Sequence, residues 1–295
     1  MKIAALDIGG TAIKHCLYDT GGPFPKDDIL ETPTDAALGA QHLMETVRKI
    51  LSETGKFDRI AVSTAGQVDP KSGSILFATD NLPGYTGTLV KSLLENTFRV
   101  PVVVENDVNS AALGEAFYGA GREFGSFLCL TYGTGIGGAI IQDKRIFYGS
   151  SNAAGEFGHI ITHAGGLLCT CGGRGCYESY ASTGALTRRV RESTGEQLSG
   201  REIFARLQED SRVESIVSEW IDEIIWGLVS LIHALNPPCV ILGGGVMNQK
   251  LIAEQISSRL PKYLMPNYRA VQVKKAELGN TAGLCGVIHL AEKLA

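Results

Sequence analysis

The sequence predicts a mixed α/β protein divided into two domains, and three observations carry that expectation. At 295 residues the chain can fill more than one hydrophobic core. Between residues 35 and 107, helical periodicity alternates with short apolar runs of strand character. Two segments, KIAALDIGGTAIKHCLYD at 2–19 and SFLCLTYGTGIGGAIIQD at 126–143, repeat one arrangement of apolar strand, polar glycine-rich turn and second strand.

Residues 35–54 suit a helix. RIAVSTAGQVD at 59–69 reads as a strand and polar turn, LVKSLLENTF at 89–98 as a helix and VPVVVEND at 100–107 as a strand. The following VNSAALGEAFYG has the composition of a helix whose small residues permit close packing. Asp107 therefore falls where strand gives way to helix. Asn106 or Asp107 either caps that helix or meets a ligand hydroxyl, where a carboxylate can orient an alcohol and accept its proton. PPCVILGGGVMNQKLI at 237–252 predicts a strand, then a turn at Gly243, Gly244 and Gly245 into a helix; the turn is either a generic connection or a surface for a nucleotide. A terminal helix is expected over 280–294.

Twenty-seven Lys plus Arg against thirty-one Asp plus Glu give a formal charge of -4, which offers no general field for polyanions. Nucleic acid is not an expected partner. The apolar run in MKIAALDIGG is too short for a signal peptide and is interrupted by Asp7. The most apolar stretch, IIWGLVSLIHAL, stops at Asn236, short of the roughly 18 apolar residues of a spanning helix. A cytoplasmic protein without membrane contact is therefore expected. Thirty-six glycines, many beside polar residues, direct attention to turns where backbone can approach a ligand.

Glycine turns leave backbone N–H groups free to face anionic oxygens; Thr11 and Thr134 add hydroxyls, and Asp7 offers a carboxylate for a magnesium ion. Each segment is also compatible with a plain hairpin. Neither is a Walker A motif, because the terminal Gly-Lys-Ser or Gly-Lys-Thr is missing.

Cys169, Cys171 and Cys176 are spaced C-x-C-x4-C, and His159 precedes them. Three thiolates and one imidazole complete a tetrahedral zinc site with no open position, which makes such an ion structural. Gly172, Gly173 and Gly175 let the loop double back. The alternatives are unliganded reduced cysteines, or His163 as the fourth ligand. Cys16, Cys129, Cys239 and Cys285 occur singly in apolar surroundings and read as buried thiols, while Tyr132, Trp220 and Trp226 read as core aromatics.

DIGGT at 7–11, ENDVNSAALGE at 105–115, GTGIGG at 133–138, GEFGH at 155–159 and CTCGGRGCYE at 169–178 together resemble, in order, the signatures of the ROK family of bacterial sugar kinases and sugar-responsive repressors. The resemblance implies a duplicated actin-like, ribonuclease-H-like ATPase fold with two domains around an active-site cleft. It divides the chain into a smaller domain over 1–119, a larger one over 120–279, and a helix over 280–295 returning to the smaller domain. It further implies that Asp7, Gly9, Gly10 and Thr11 form a first phosphate loop and Gly133, Thr134, Gly135 and Gly137 a second, with Gly243, Gly244 and Gly245 on the adenosine side. Asp107 resembles the general base, and Gly66, Asn81, Asn106, Asp107, Glu156, His159 and Glu178 the sugar-binding set. His159, Cys169, Cys171 and Cys176 correspond to the zinc ligands.

The family therefore implies ATP, magnesium and structural zinc as cofactors, a sugar as the other small-molecule partner, and a homodimer. Repressors of this family carry an added N-terminal helix-turn-helix module, for which no room precedes the first strand, so a kinase is expected over a silent sugar sensor. The expected reaction is transfer of the γ-phosphate of ATP to the 6-hydroxyl of a hexopyranose. STAGQVD at 63–69 and ATDNLPGYTG at 78–87 resemble the β-glucoside kinase subgroup and depart from common glucokinase forms. A β-glucoside or glucose is the expected acceptor, with N-acetylmannosamine kinase and fructokinase as alternatives.

Overall fold

The structure is a computed structural model and describes residues 1–294, apart from the side chain of Lys26. In chain order its first elements are β1 (Lys2–Ile8), β2 (Ala12–Asp19), β3 (Leu30–Pro33), α1 (Gly39–Glu53), β4 (Arg59–Thr64), β5 (Gln67–Asp69), β6 (Ser74–Phe77), α2 (Val90–Phe98), β7 (Val102–Asn106) and α3 (Asp107–Tyr118). Next come β8 (Phe127–Tyr132), β9 (Ile136–Gln142), β10 (Arg145–Ile146), α4 (Glu178–Ala181), α5 (Thr183–Thr194), α6 (Gly200–Ala205) and α7 (Ser211–Leu235). The last are β11 (Cys239–Gly243), α8 (Lys250–Arg259), β12 (Gln272–Lys275) and α9 (Ala282–Glu292).

Two five-stranded mixed sheets organise the chain, in the orders β3-β2-β1-β4-β7 and β10-β9-β8-β11-β12. Each order runs third, second, first, fourth, fifth along the sequence. In the first sheet β1 lies antiparallel to β2 and parallel to β4, which is parallel to β7. In the second, β11 is parallel to both β8 and β12. This is the fold of the actin, hexokinase and Hsp70 superfamily, with two similar sheet domains flanked by helices.

The two-residue period of β1 explains how its sheet is covered. Ala4, Leu6 and Ile8 pack with Leu43, Val47 and Leu51 of α1 and Leu94 of α2, whereas Ile3 and Ala5 join Leu284, Val287 and Ile288 of α9. The crossing of α3 and α9 depends on glycine at two points. A Cβ on Gly114 would overlap the Ala282 carbonyl oxygen, and one on Gly286 the Ser110 carbonyl oxygen.

The compact units differ from the division expected at Gly119. One contains residues 1–123, 140–154 and the chain from Asn280 on; the other contains 124–139 and 155–279. Residues 140–154 belong with the first unit because Lys144 Nζ donates to the carbonyls of Ala116, Gly121 and Arg122, and the Tyr148 hydroxyl donates to Glu105. These polar anchors carry no hydropathy signal in the sequence.

In the second unit α7 buries Trp220, Ile221, Ile224, Leu228 and Leu231, but Trp226 is 44 % exposed, so it is not the core aromatic expected. Its position on the helix lies off the buried stripe. Tyr132 and Trp220 are fully buried, and the four isolated cysteines are buried too. After β11 the glycine turn leads first into a 3₁₀ turn at Gly245–Asn248, and α8 starts only at Lys250. Among the described residues no helix is long and apolar enough to cross a membrane.

Candidate functional site

In the first unit the site begins at the end of β1. Gly9 N donates to Ala12 O at 3.1 Å, closing the tight turn into β2, and Thr34 Oγ1 donates to Gly9 O at 2.7 Å. Gly10 and Thr11 remain exposed at the tip, and nothing lies within 4 Å of where a Cβ on Gly10 would stand. Backbone there is open to an anionic ligand.

Asp7 is only partly exposed beneath this turn. Ser63 Oγ donates to its Oδ1 at 2.6 Å, and α9 offers Gly283 opposite, where a Cβ would come within 2.8 Å of that oxygen. Burial pushes the Asp7 carboxyl above its ordinary range, against the opposing effects of the Ser63 hydrogen bond and Lys14. Asp107 stands at the first position of α3. Burial first, and then the charge of Asp7, push its carboxyl up to about 7. A carboxyl raised in this way suits a general base at Asp107, and the Asp7 carboxylate suits a hard cation.

Asn106 supplies the cap of α3: its Oδ1 accepts from Val108 N at 2.9 Å and Asn109 N at 3.0 Å. Its Nδ2 donates to Gly66 O and to Asp107 Oδ1, each at 2.9 Å. All four hydrogen-bonding positions of this amide are thus filled within the protein, so its first duty is to hold Asp107 and the Gly66 turn. Gly66 has φ +98°, and a Cβ there would stand 2.9 Å from Phe77 O. The 78–87 loop is fixed by the buried Tyr85 hydroxyl against Thr64 Oγ1 at 2.9 Å and by Ala78 N donating to Thr86 Oγ1. Asn81 stays exposed in that loop, outside the network around Asp107.

The second unit carries the other glycine turn. Gly133 N donates to Gly135 O at 3.0 Å, while Thr183 N at the start of α5 donates to Gly133 O at 2.9 Å. Gly133 and Thr134 are exposed and Gly137 is half-buried. Glu178 Oε2 accepts from Ile136 N at 3.3 Å, and its Oε1 accepts from Thr170 Oγ1 at 3.2 Å and from the Cys169 thiol at 3.3 Å. The turn at Gly243, Gly244 and Gly245 is shaped by Gly244, whose φ of +97° and contact with the Tyr132 carbonyl leave no room for a side chain. Gly245 is exposed beside it.

The ligand atoms of His159, Cys169, Cys171 and Cys176 all lie within 4.8 Å of one another. Cys169 Sγ stands 3.6 Å from His159 Nδ1, and Cys171 Sγ 3.6 Å from Cys176 Sγ. Tetrahedral zinc bonds place two sulfurs about 3.8 Å apart and sulfur and nitrogen about 3.6 Å apart, so the cluster fits that ion. Positive φ at Gly172 and Gly175 bends the loop as required. His163 lies apart from this cluster: it stacks on Tyr180 at 3.9 Å, and its Nε2 pairs with Glu223 at 3.6 Å. His159 Nε2, the nitrogen turned from the sulfurs, is 3.9 Å from Glu156 Oε2, on an exposed carboxylate.

Sequence reasoning missed Ser63, Tyr85, Glu105 and Tyr148, all tied by hydrogen bonds to the site or its supporting loop. Glu105, Ser63 and Tyr85 lie within the segments 105–115, 63–69 and 78–87 without a pattern that gives them a role, and no local pattern marks Tyr148.

A sequence model of the ROK family matches residues 3–294. The chain belongs to the ROK family. It is 32% identical to a β-glucoside kinase of Listeria monocytogenes over 98% of this chain and 97% of the relative. Among solved structures, a ROK hexokinase from Thermus thermophilus has 31% identity and a TM-score of 0.85, covering 99% of this chain and 98% of its own. A ROK family glucokinase from Streptomyces griseus, in complex with glucose and AMPPNP, has 30% identity and a TM-score of 0.84, covering 100% of both chains. This ROK protein is an ATP-dependent carbohydrate kinase.

Proposed function

We propose that this ROK kinase transfers the γ-phosphate of ATP to the 6-hydroxyl of a hexopyranose, a β-glucoside or glucose, with Asp107 as general base. The observation that carries the proposal is Asp107 itself. It is clamped at the start of α3, and burial beside Asp7 raises its carboxyl to about 7. A base with that affinity is about half ionised at neutral pH, and basic enough to accept the alcohol proton as the phosphoryl group arrives.

The turns at Gly9, Gly10 and Thr11 and at Gly133, Thr134, Gly135 and Gly137 direct backbone and hydroxyl donors at phosphate oxygens, and Gly243, Gly244 and Gly245 line the adenosine side. Gly66, Asn81, Glu156, His159 and Glu178 are the sugar contacts, and Asn106, whose amide is already filled within the protein, serves the sugar by holding Asp107 and the Gly66 turn. Asp7 would hold magnesium, which supplies neutralising charge to the phosphates when bound. His159, Cys169, Cys171 and Cys176 would hold zinc, whose contribution is to the folding of the loop that carries Glu178. The repeated strand order of the two sheets supports a duplicated actin-like origin.

The β-glucoside preference is supported by the Listeria monocytogenes relative and by the exposed edge at Thr79, Asp80 and Asn81, which leaves space for a substituent. Specificity constants for glucose, cellobiose, fructose, mannose, N-acetylglucosamine and N-acetylmannosamine with ATP test it. A β-glucoside is expected to lead; a clear lead for fructose or N-acetylmannosamine would reassign the substrate. We also propose a homodimer, with the exposed Trp226 and Leu235 of α7 as candidates for its interface. Light scattering should give twice 31.4 kDa, and a stable active species of 31.4 kDa would refute it.

A further inference from the structure

We infer that Glu105 and Tyr148 act as a positioning pair for Asp107, fixing the strand-to-helix corner from which it faces the sugar. The inference rests on the proposed role of Asp107 as base. Glu105, in β7, is 1 % exposed, and its carboxylate receives three hydrogen bonds. The Tyr148 hydroxyl donates to Oε2 at 2.6 Å, while Asn106 N at 2.8 Å and Asn109 Nδ2 at 3.0 Å donate to Oε1. The two donors to Oε1 flank Asp107, one residue before it and two after.

The same two residues complete the clamp from the other side. Asn106 Oδ1 accepts from Asn109 N, and Asn106 Nδ2 donates to Asp107 Oδ1, which also accepts from Val108 N at 2.9 Å. The hydrogen bonds from Asn106 and Val108 both fall on Oδ1, so the alcohol is assigned to Oδ2. Moving Glu105 therefore moves both sides of the corner.

Tyr148 makes the anchor one-directional. Burial and the neighbouring Glu105 carboxylate push its hydroxyl far above the ordinary phenol range, so it remains a donor. Short hydrogen bonds to a buried carboxylate are strong and strict in direction. A carboxylate buried in a strand is costly, and an apolar side chain of similar size would pack there at less expense. What the polar group adds is a fixed orientation of the next residues, the property a general base needs.

Steady-state kinetics of the full chain with ATP and its best sugar, together with thermal unfolding, test the pair. Tyr148→Phe keeps the ring and removes one donor; its kcat is expected to fall about 10-fold while KM for both substrates stays within about 2-fold. Glu105→Gln, whose amide oxygen still accepts from Asn106 and Asn109 but whose NH2 then faces the Tyr148 hydroxyl, is expected to lose about 10-fold like Tyr148→Phe, and Glu105→Ala about 10²-fold. Wild-type kcat in Tyr148→Phe, or a loss explained by the unfolded fraction, overturns the inference. Asp107→Asn is measured alongside: if it is inactive while Tyr148→Phe is normal, only the positioning role fails, whereas normal turnover in Asp107→Asn overturns both.

Discussion

Glu178 Oε2 accepts the Ile136 N–H at 3.3 Å, which joins the second glycine turn to the cysteine-bearing loop through one side chain. The contact exists because Gly135 has no side chain: a Cβ there would stand 2.6 Å from the same carboxylate oxygen. Gly135→Ala must therefore displace Glu178. Because the end of a side chain can turn aside, we expect at most about 1 kcal/mol of destabilisation by chemical unfolding, with a raised KM for ATP or sugar as the main effect. Unchanged kinetics would show that Glu178 swings away without loss to either substrate.

Asp107→Asn separates chemistry from stability. An amide still accepts hydrogen bonds but takes no proton, so turnover should fall by at least ~10²-fold. In the wild type, kcat should rise with pH through about 7 as Asp107 ionises. Its folded-state pKa is raised, so the native protein binds more protons than the unfolded chain between about pH 4 and pH 7, and stability falls as pH rises through that window. Asp107→Asn removes the buried charge and should gain melting temperature over wild type at pH 8 but little at pH 4. A mutant no more stable at pH 8 than at pH 4, relative to wild type, would contradict the buried-charge account.

Much of this was legible in the sequence because backbone rules dominate those places. The alternation of Ile3 and Ala5 against Ala4, Leu6 and Ile8 marks a strand covered on both faces. The C-x-C-x4-C spacing marks a loop whose sulfurs converge. Asn106 showed the weakness of choosing between cap and site, since it is a cap that also holds Asp107. What stayed hidden was long-range polar contact. Lys144, with three hydrogen bonds, and Tyr148, with one, draw residues 140–154 into the first unit, and nothing periodic in that segment announces them.

The cysteine cluster should carry about one zinc per chain by elemental analysis, as one four-ligand site requires. Burial pushes the Cys176 thiol up to about 12, whereas the Gly173 N–H holds Cys171 lower, and a bound dication would deprotonate both. Cys171→Ser changes the most exposed of the three and should reduce both metal content and melting temperature. Protein from zinc-sufficient medium that contains no metal and ignores chelator would assign the cluster to plain reduced thiols.

The crossing of α3 and α9 gives a prediction independent of any ligand. A Cβ on Gly286 would overlap the Ser110 carbonyl oxygen, and a backbone atom, unlike the end of a flexible side chain, cannot turn aside. The two helices would have to separate, which draws Leu284, Val287 and Ile288 away from Ile3 and Ala5. Gly286→Ala should therefore cost about 3 kcal/mol or more, the upper end for overpacking. Because Gly283 of the same helix crowds Asp7, the displacement should also reach the site. Urea unfolding and kcat measured on the same preparation check both effects: stability within about 0.5 kcal/mol of wild type, the range of a neutral surface change, would refute the close crossing.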